Sequence, residues 1–126
     1  MRTTGPTADL RIQAVERTNG LCQKCWRPGS QLHHRKPRGA GGTSDPTINA
    51  LPNLVWLCLA CHAHIEQHRL ASYETGWLVR RNANPAEQYL IDNLGRMLML
   101  LPDGSVTYSD VLPDVFLPSG DLTPPF

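Results

Sequence analysis

Aromatic residues are scarce in this chain of 126 residues, at 6% of the sequence, and phenylalanine occurs only twice. Hydrophobic residues of all kinds make up 40%. A domain of this size buries a limited fraction of its surface, so a covalent or metal crosslink would add stability that a small core cannot supply. We therefore expect one small domain whose folding depends on more than its apolar side chains.

Long apolar runs are also missing. No stretch approaches the roughly 20 apolar residues that a membrane-spanning helix needs, and the first six residues lack the apolar core of a signal peptide. These two absences predict a cytoplasmic protein with no membrane partner. In such a reducing compartment, paired cysteines are better interpreted as metal ligands than as disulfides.

The net charge of +1 conceals an uneven distribution along the chain. Residues 1–81 hold eleven Arg or Lys against five Asp or Glu, a balance of +6, whereas the remaining residues have a balance of −5. A basic segment of this length favours a polyanionic partner. The alternative is an ordinary scatter of charge over a solvated surface.

The four cysteines form two Cys-x-x-Cys pairs, Cys22/Cys25 and Cys58/Cys61. Two intervening residues allow both sulfur atoms of a pair to bind one ion, and four thiolates suit tetrahedral Zn²⁺. The pairs are separated by 32 residues and can converge across a hairpin. Because such a site has no open coordination position, we expect a structural Zn²⁺ rather than a catalytic one. A disulfide and a redox pair are the weaker alternatives.

The sequence predicts an α+β fold with an N-terminal helix, a central hairpin followed by a second helix, and a C-terminal β-hairpin around an Asp-Gly turn. Helices are predicted at about 8–19 and from 59 to about 72, strands at 31–35, 53–57 and 76–80, and the C-terminal hairpin at 96–108. Residues 36–52 are expected to form a loop. We divide the chain into a core at 1–75, a small β extension at 76–111 and a flexible, proline-rich tail at 112–126.

Histidine and asparagine residues lie between and after the cysteine pairs, at His33, His34, Asn53 and His62. Together with the run from Asn53 to Cys58 and the Cys61-His62 pair, they resemble the HNH endonuclease family. The resemblance is strongest to small zinc-containing members from bacteriophages and bacteria, and it extends roughly from Arg11 to Arg69. A bacteriophage origin would place the protein in the bacterial host cytoplasm.

The resemblance implies a ββα-metal site of the His-Me finger type, related to a treble clef, in which a hairpin and a helix hold a catalytic divalent ion. His33 and His62 would bind this ion, His34 would be the general base, and Asn53 would hold the loop geometry and orient the base. Many family members have a further histidine where this chain has Glu66, which is a candidate third ligand or an orienting partner of His62. The ion would be Mg²⁺ or Mn²⁺, with Ni²⁺ or Zn²⁺ as alternatives.

The chemistry of these residues is compatible with phosphodiester hydrolysis. A neutral imidazole accepts a proton at cellular pH, and a divalent ion stabilises charge on the phosphate and on the departing oxygen. Taken singly, each residue also has a structural explanation, such as a surface histidine, a spare zinc ligand or an asparagine at a strand edge. Candidate phosphate contacts are Arg35, Lys36, Arg38 and Arg69.

The sequence thus predicts a metal-dependent DNA endonuclease. One alternative is a zinc-stabilised DNA-binding or phage packaging module with weak or lost catalysis. Another is a structural zinc domain that binds protein. DNA is the expected partner, and phage terminase or packaging proteins and a second copy of the chain are further candidates.

Overall fold

A computed structural model describes residues 5–37 and 45–109, and over these residues the predicted mixture of helices and strands is confirmed. The helices are α1 (Ala8–Glu16), α2 (Leu59–Gln67) and α3 (Arg69–Glu74). The strands are β1 (Gln31–His34), β2 (Leu54–Leu57), β3 (Leu90–Ile91), β4 (Met97–Leu100) and β5 (Val106–Ser109). Single 3₁₀ turns lie at Leu51–Asn53 and Pro85–Glu87.

Helix α1 begins at a side-chain cap, because the Thr7 hydroxyl accepts a hydrogen bond from the Leu10 N–H at 3.3 Å. It ends at Glu16, earlier than predicted, and the chain then turns through Asn19 and Gly20, which both have positive φ. Arg17, directly after the helix, donates from Nη1 to the Leu51 carbonyl at 3.0 Å. This contact joins the end of α1 to the 3₁₀ turn that directly precedes β2.

Strands β1 and β2 form an antiparallel hairpin that pairs His33 with Val55 and His34 with Leu54. Helix α2 follows β2 after one residue, Cys58, which is its N-cap. The second sheet has the order β3-β4-β5, with all pairs antiparallel. The predicted C-terminal hairpin is therefore present, and the two-residue strand β3 extends it by one strand that the sequence did not indicate.

One buried cluster joins the hairpin region to the C-terminal half. Its members include Leu57, Ile65, Trp77, Leu90 and Leu100, all fully buried. Residues from both sides of position 75 thus share a core, although the division of the chain at that position stays a prediction. The predicted tail at 112–126 lies outside the described residues.

Two predicted elements differ from the structure. The helix predicted at 59–72 is interrupted at His68, whose backbone lies outside the helical region with φ −125° and ψ 58°. The strand predicted at 76–80 is absent: Gly76 has φ +86°, and its Cα lies so close to Tyr89 that an added Cβ would sit 1.9 Å from the Tyr89 carbonyl oxygen. The backbone in this segment bonds to Ser72 and Arg35 instead of to a neighbouring strand. Within the described ranges, no helix has both the length and the apolar character needed to cross a bilayer.

Candidate metal centres

The four cysteine sulfur atoms lie within 4.8 Å of one another, although the two pairs are distant in the sequence. The Cys25 and Cys58 sulfur atoms are 3.7 Å apart. A tetrahedron with Zn–S bonds of about 2.3 Å requires a sulfur–sulfur separation of about 3.8 Å. The donor set and its spacing therefore fit a Zn²⁺ ion bound by all four cysteines, with no position left for a substrate.

The electrostatics of this cluster also favour a cation. Hydrogen bonding with Cys61 lowers the pKa of Cys22 to about 4, and the same contact, together with burial, raises the pKa of Cys61. Four sulfur atoms this close cannot all be thiolates unless a positive ion lies among them. The side chains of Lys24 and Arg27 line the adjacent cleft.

A second group of potential ligands consists of His33, His62 and Glu66, whose donor atoms also lie within 4.8 Å of one another. His33 comes from β1, and the other two come from α2, one helical turn apart. The imidazole rings of His33 and His62 are in edge-to-face contact, with centroids 5.1 Å apart. The hairpin and the helix thus bring together His33 and His62, the two ligands that the resemblance implied, and Glu66, the candidate third ligand.

Hydrogen bonds orient both histidine rings in this group. His33 donates from Nε2 to the Trp77 carbonyl at 2.8 Å, and His62 donates from Nδ1 to Oε1 of Gln31 at 2.5 Å. The opposite ring nitrogen of each histidine then carries the lone pair that a metal ion needs. Burial lowers the pKa of His33 to about 4, so this ring is neutral near pH 7.

Glu66 differs from the two histidines because it is exposed to solvent. Its carboxylate forms an ion pair with Arg69 at 2.7 Å. An exposed pair of this kind contributes little to stability, and the carboxylate lies beside the histidine rings. The ring of His64, on the same helix, instead stacks on the ring of His68 with centroids 4.1 Å apart, and both residues are exposed.

The expected general base, His34, is half-buried at the end of β1. Its Nε2 lies 2.9 Å from Oδ1 of Asn49. In a strand, neighbouring side chains point to opposite faces, so His34 has surroundings different from those of His33. The sequence did not single out Asn49.

Asn53 is fully buried and holds together the two ends of the segment that follows β1. Its Oδ1 accepts from the Lys36 N–H at 2.7 Å, and its Nδ2 donates to the carbonyls of Lys36 and Ile48 at 3.0 and 2.8 Å. These three bonds agree with the predicted role in loop geometry. The second predicted role, orienting His34 through the amide, has a different candidate in Asn49, whose amide is the one bonded to His34.

The prediction that Arg35 contacts DNA is at odds with its position. Its side chain is fully buried, and burial lowers its pKa to about 9. The guanidinium donates to four backbone carbonyls, those of Pro52, Gly76, Pro85 and Gln88. Arg35 is therefore the polar centre that joins the hairpin to the segment at 76–88, and its donors are not available to phosphate.

Lys36 is also buried, which corrects its assignment as a phosphate contact. Its Nζ forms an ion pair with Asp45 at 3.0 Å and donates to the Ala83 carbonyl at 2.9 Å. Arg38 lies outside the described residues. Only Arg69 among the four predicted DNA contacts is described and exposed.

Tyr73 brings a further arginine to the side of α3 that carries Arg69. The Arg80 guanidinium carbon lies 4.2 Å from the centroid of the Tyr73 ring, and that of Arg69 lies 6.0 Å from it. Both arginines are exposed. The position of Arg80 depends on the fold after Gly76, so no sequence motif indicated it.

Comparison with known protein families gives a match to the HNH endonuclease family over residues 22–68. Comparison with curated proteins gave no match, and neither did comparison with solved structures. The matched segment contains all four cysteines and all three residues of the histidine–glutamate group. Over residues 22–68 this chain is therefore similar to the HNH endonuclease family.

Proposed function

We propose that this protein is a metal-dependent endonuclease that hydrolyses DNA phosphodiester bonds at the group formed by His33, His62 and Glu66. The observation that carries the proposal is the shared orientation of the two histidines. Each ring donates its N–H to a protein oxygen and keeps its second nitrogen for a metal ion. A purely structural domain does not require a second such group beside a complete set of four cysteines.

Three protein ligands leave part of a divalent ion's coordination shell open to substrate, unlike the four-cysteine centre. A bound Mg²⁺ or Mn²⁺ would supply positive charge to the phosphate and to the departing oxygen. His34, next to a ligand in the sequence, accepts the proton of the attacking water. Asn53 fixes the loop that follows the base.

The arrangement of the hairpin and α2 supports a ββα-metal fold for this site. The hairpin contributes His33 and His34, and the helix contributes His62 and Glu66. Zn²⁺ at the cysteines would join the turn before β1 to the start of α2, because Cys22 and Cys25 precede the hairpin and Cys58 and Cys61 follow it. It would thereby fix the position of the catalytic residues without taking part in the reaction.

The second candidate function is a zinc-stabilised DNA-binding or packaging module without catalysis. The four-cysteine centre and the basic segment suit both functions. Only the endonuclease accounts for the group of His33, His62 and Glu66, so we place the catalytic function first. Packaging proteins and a second copy of the chain stay predictions from the family resemblance.

Replacing His62 with alanine is expected to raise the Mn²⁺ concentration needed for half-maximal DNA nicking by more than about 10-fold. Loss of a residue that merely orients a ligand already costs roughly 10–100-fold in metal affinity, and His62 is a ligand itself. His64→Ala is the matched control, because His64 is exposed on the same helix and lies outside the group. Equal Mn²⁺ dependence of the two variants would contradict the proposed metal site.

We propose that Arg69 and Arg80 contact the DNA. They take the role that the sequence predicted for Arg35 and Lys36. Arg69 reaches the metal group through its ion pair with Glu66, and the Tyr73 ring holds Arg80 beside it. A guanidinium that packs on an aromatic face keeps the N–H groups at its edge for phosphate oxygens. The two arginines would therefore bind phosphates next to the one that is cleaved.

The Arg69→Ala/Arg80→Ala variant is expected to bind duplex DNA with a weaker salt dependence. Each lost phosphate contact lowers the slope of log K against log salt by about 0.9, so the double variant should lose about 2. Arg11→Ala is the control, since Arg11 is exposed on α1 rather than near Tyr73. An unchanged slope in the double variant, measured by fluorescence anisotropy, would remove these arginines from the DNA interface.

A further inference from the structure

We infer that Asn49 is a positioning residue that holds the His34 imidazole in the tautomer and orientation required of a general base. The inference rests on the proposed endonuclease function, because Asn49 has this role only if His34 accepts a proton. The family resemblance gave the orienting task to Asn53. The hydrogen bonds of the two asparagines assign it to Asn49 instead.

The contact itself determines where the base has its lone pair. Oδ1 of Asn49 lies 2.9 Å from Nε2 of His34, and an amide oxygen can only accept a hydrogen bond. With the Asn49 amide in this orientation, Nε2 carries the proton of the neutral ring. The basic lone pair is then on Nδ1, which is the atom that takes the proton from water.

The burial of Asn49 shows that this amide is costly to place at this position. The residue is 9% exposed, and its Nδ2 is buried with no hydrogen-bond partner among residues 5–37 and 45–109. A buried amide with an unpaired N–H is less favourable than an apolar side chain of similar size. Packing alone does not account for an asparagine at this position, whereas the bond to His34 does.

Asn53 supports the same arrangement indirectly, through the backbone next to Asn49. Its Nδ2 bonds to the carbonyl of Ile48, the residue directly before Asn49. The amide of Asn53 thereby fixes the backbone from which Asn49 reaches His34. We thus assign Asn53 to the loop and Asn49 to the base.

The first test compares nicking of supercoiled plasmid by the full-length, zinc-loaded protein and its variants at saturating Mn²⁺. Asn49→Ala should lower kcat at least about 10-fold, but by no more than the roughly 10²–10⁴-fold that a whole general base provides. KM and the half-saturating Mn²⁺ concentration should not change. Asn49→Asp should keep most of the wild-type kcat, because its carboxylate accepts the same hydrogen bond.

A double-mutant cycle separates positioning from a structural role. In a His34→Ala background, Asn49→Ala should cause no further loss of the residual rate, because the group that it positions is already gone. A full additional loss in that background, or an Asn49→Ala protein with wild-type kcat, would overturn the inference. The melting temperature of each variant identifies any that fail to fold, and Asn49→Asp then carries the test.

The histidine tautomer provides a readout that does not depend on cleavage. Long-range ¹H–¹⁵N correlation spectra of the zinc-loaded protein should show the His34 proton on Nε2 in the wild type and a mixture of tautomers in Asn49→Ala. A proton on Nδ1 in the wild type would overturn the inference. A wild-type protein that fails to nick DNA would overturn the proposed function itself, whereas nicking with an unaffected Asn49→Ala variant would overturn only the role of Asn49.

Discussion

The His34→Ala variant is expected to lose about 10²–10⁴-fold in the rate of DNA cleavage, the usual contribution of a general base. It should still bind Mn²⁺ and DNA, because the metal ligands His33 and His62 and the exposed arginines are unchanged. Nicking rates measured beside calorimetric Mn²⁺ titration distinguish a lost base from a lost ligand.

The neighbouring histidine provides the comparison for this variant. His33→Ala should weaken Mn²⁺ binding, and its activity should recover in part at high Mn²⁺ if the remaining ligands hold the ion. The two histidines would have their roles reversed if His34→Ala lost the ion and His33→Ala kept it. The burial of His33 and its bond to Trp77 favour His33 as the metal ligand and His34 as the base.

The Cys58→Ser variant is expected to lose its Zn²⁺ and to unfold or loosen before any catalytic step is affected. Structural Zn²⁺ contributes roughly 10–16 kcal/mol of apparent binding free energy in small zinc-binding domains, compared with a typical total stability of about 5–15 kcal/mol. In this protein the cysteines are part of the main core cluster, so their separation would also expose Leu57 and Ile65.

Bound zinc and melting temperature check this expectation. Leu59→Ser is the matched control, because Leu59 is the next residue and is 64% exposed, with no role in either metal group. Full zinc occupancy with an unchanged melting temperature in Cys58→Ser would exclude the structural role of this centre.

The four-cysteine group could be predicted from the sequence because its ligands follow a local rule, whereas the roles of His33 and His62 came from the family resemblance. Two residues between cysteines allow one ion to bind both, and a helical turn places His62 and Glu66 on one face. The run of apolar residues at 54–57 likewise indicated the second hairpin strand. These features depend on spacing of a few residues, which a sequence displays directly.

The surroundings of His34 could not be predicted in this way. Asn49 reaches His34 because Asn53 holds the intervening backbone, and that contact joins residues within a segment without periodicity. The burial of Arg35 was missed for a related reason. An arginine beside glycines and other cations is typical of a phosphate contact, and only the tertiary fold places the carbonyl groups of Pro52, Gly76, Pro85 and Gln88 around this one.

The absence of a strand at 76–80 has the same kind of origin. Trp77, Leu78 and Val79 have the apolar character of a strand and are buried. The N–H groups of Leu78 and Val79 nevertheless donate to the carbonyls of Ser72 and Arg35 rather than to a neighbouring strand. Local propensity is overridden where tertiary contacts satisfy the backbone. The same segment supplies the Trp77 carbonyl that orients His33. The wrongly predicted strand at 76–80 therefore includes a residue that supports the candidate metal site.

The most direct test of the catalytic metal site is the conversion of supercoiled plasmid by zinc-loaded wild-type protein, with and without added Mn²⁺ or Mg²⁺. We predict no conversion while only the four-cysteine centre is filled, and nicked or linear DNA once the second ion is added. Full cleavage without the second ion, or none with it while zinc and fold are intact, would contradict the claim that the group of His33, His62 and Glu66 is a catalytic metal site.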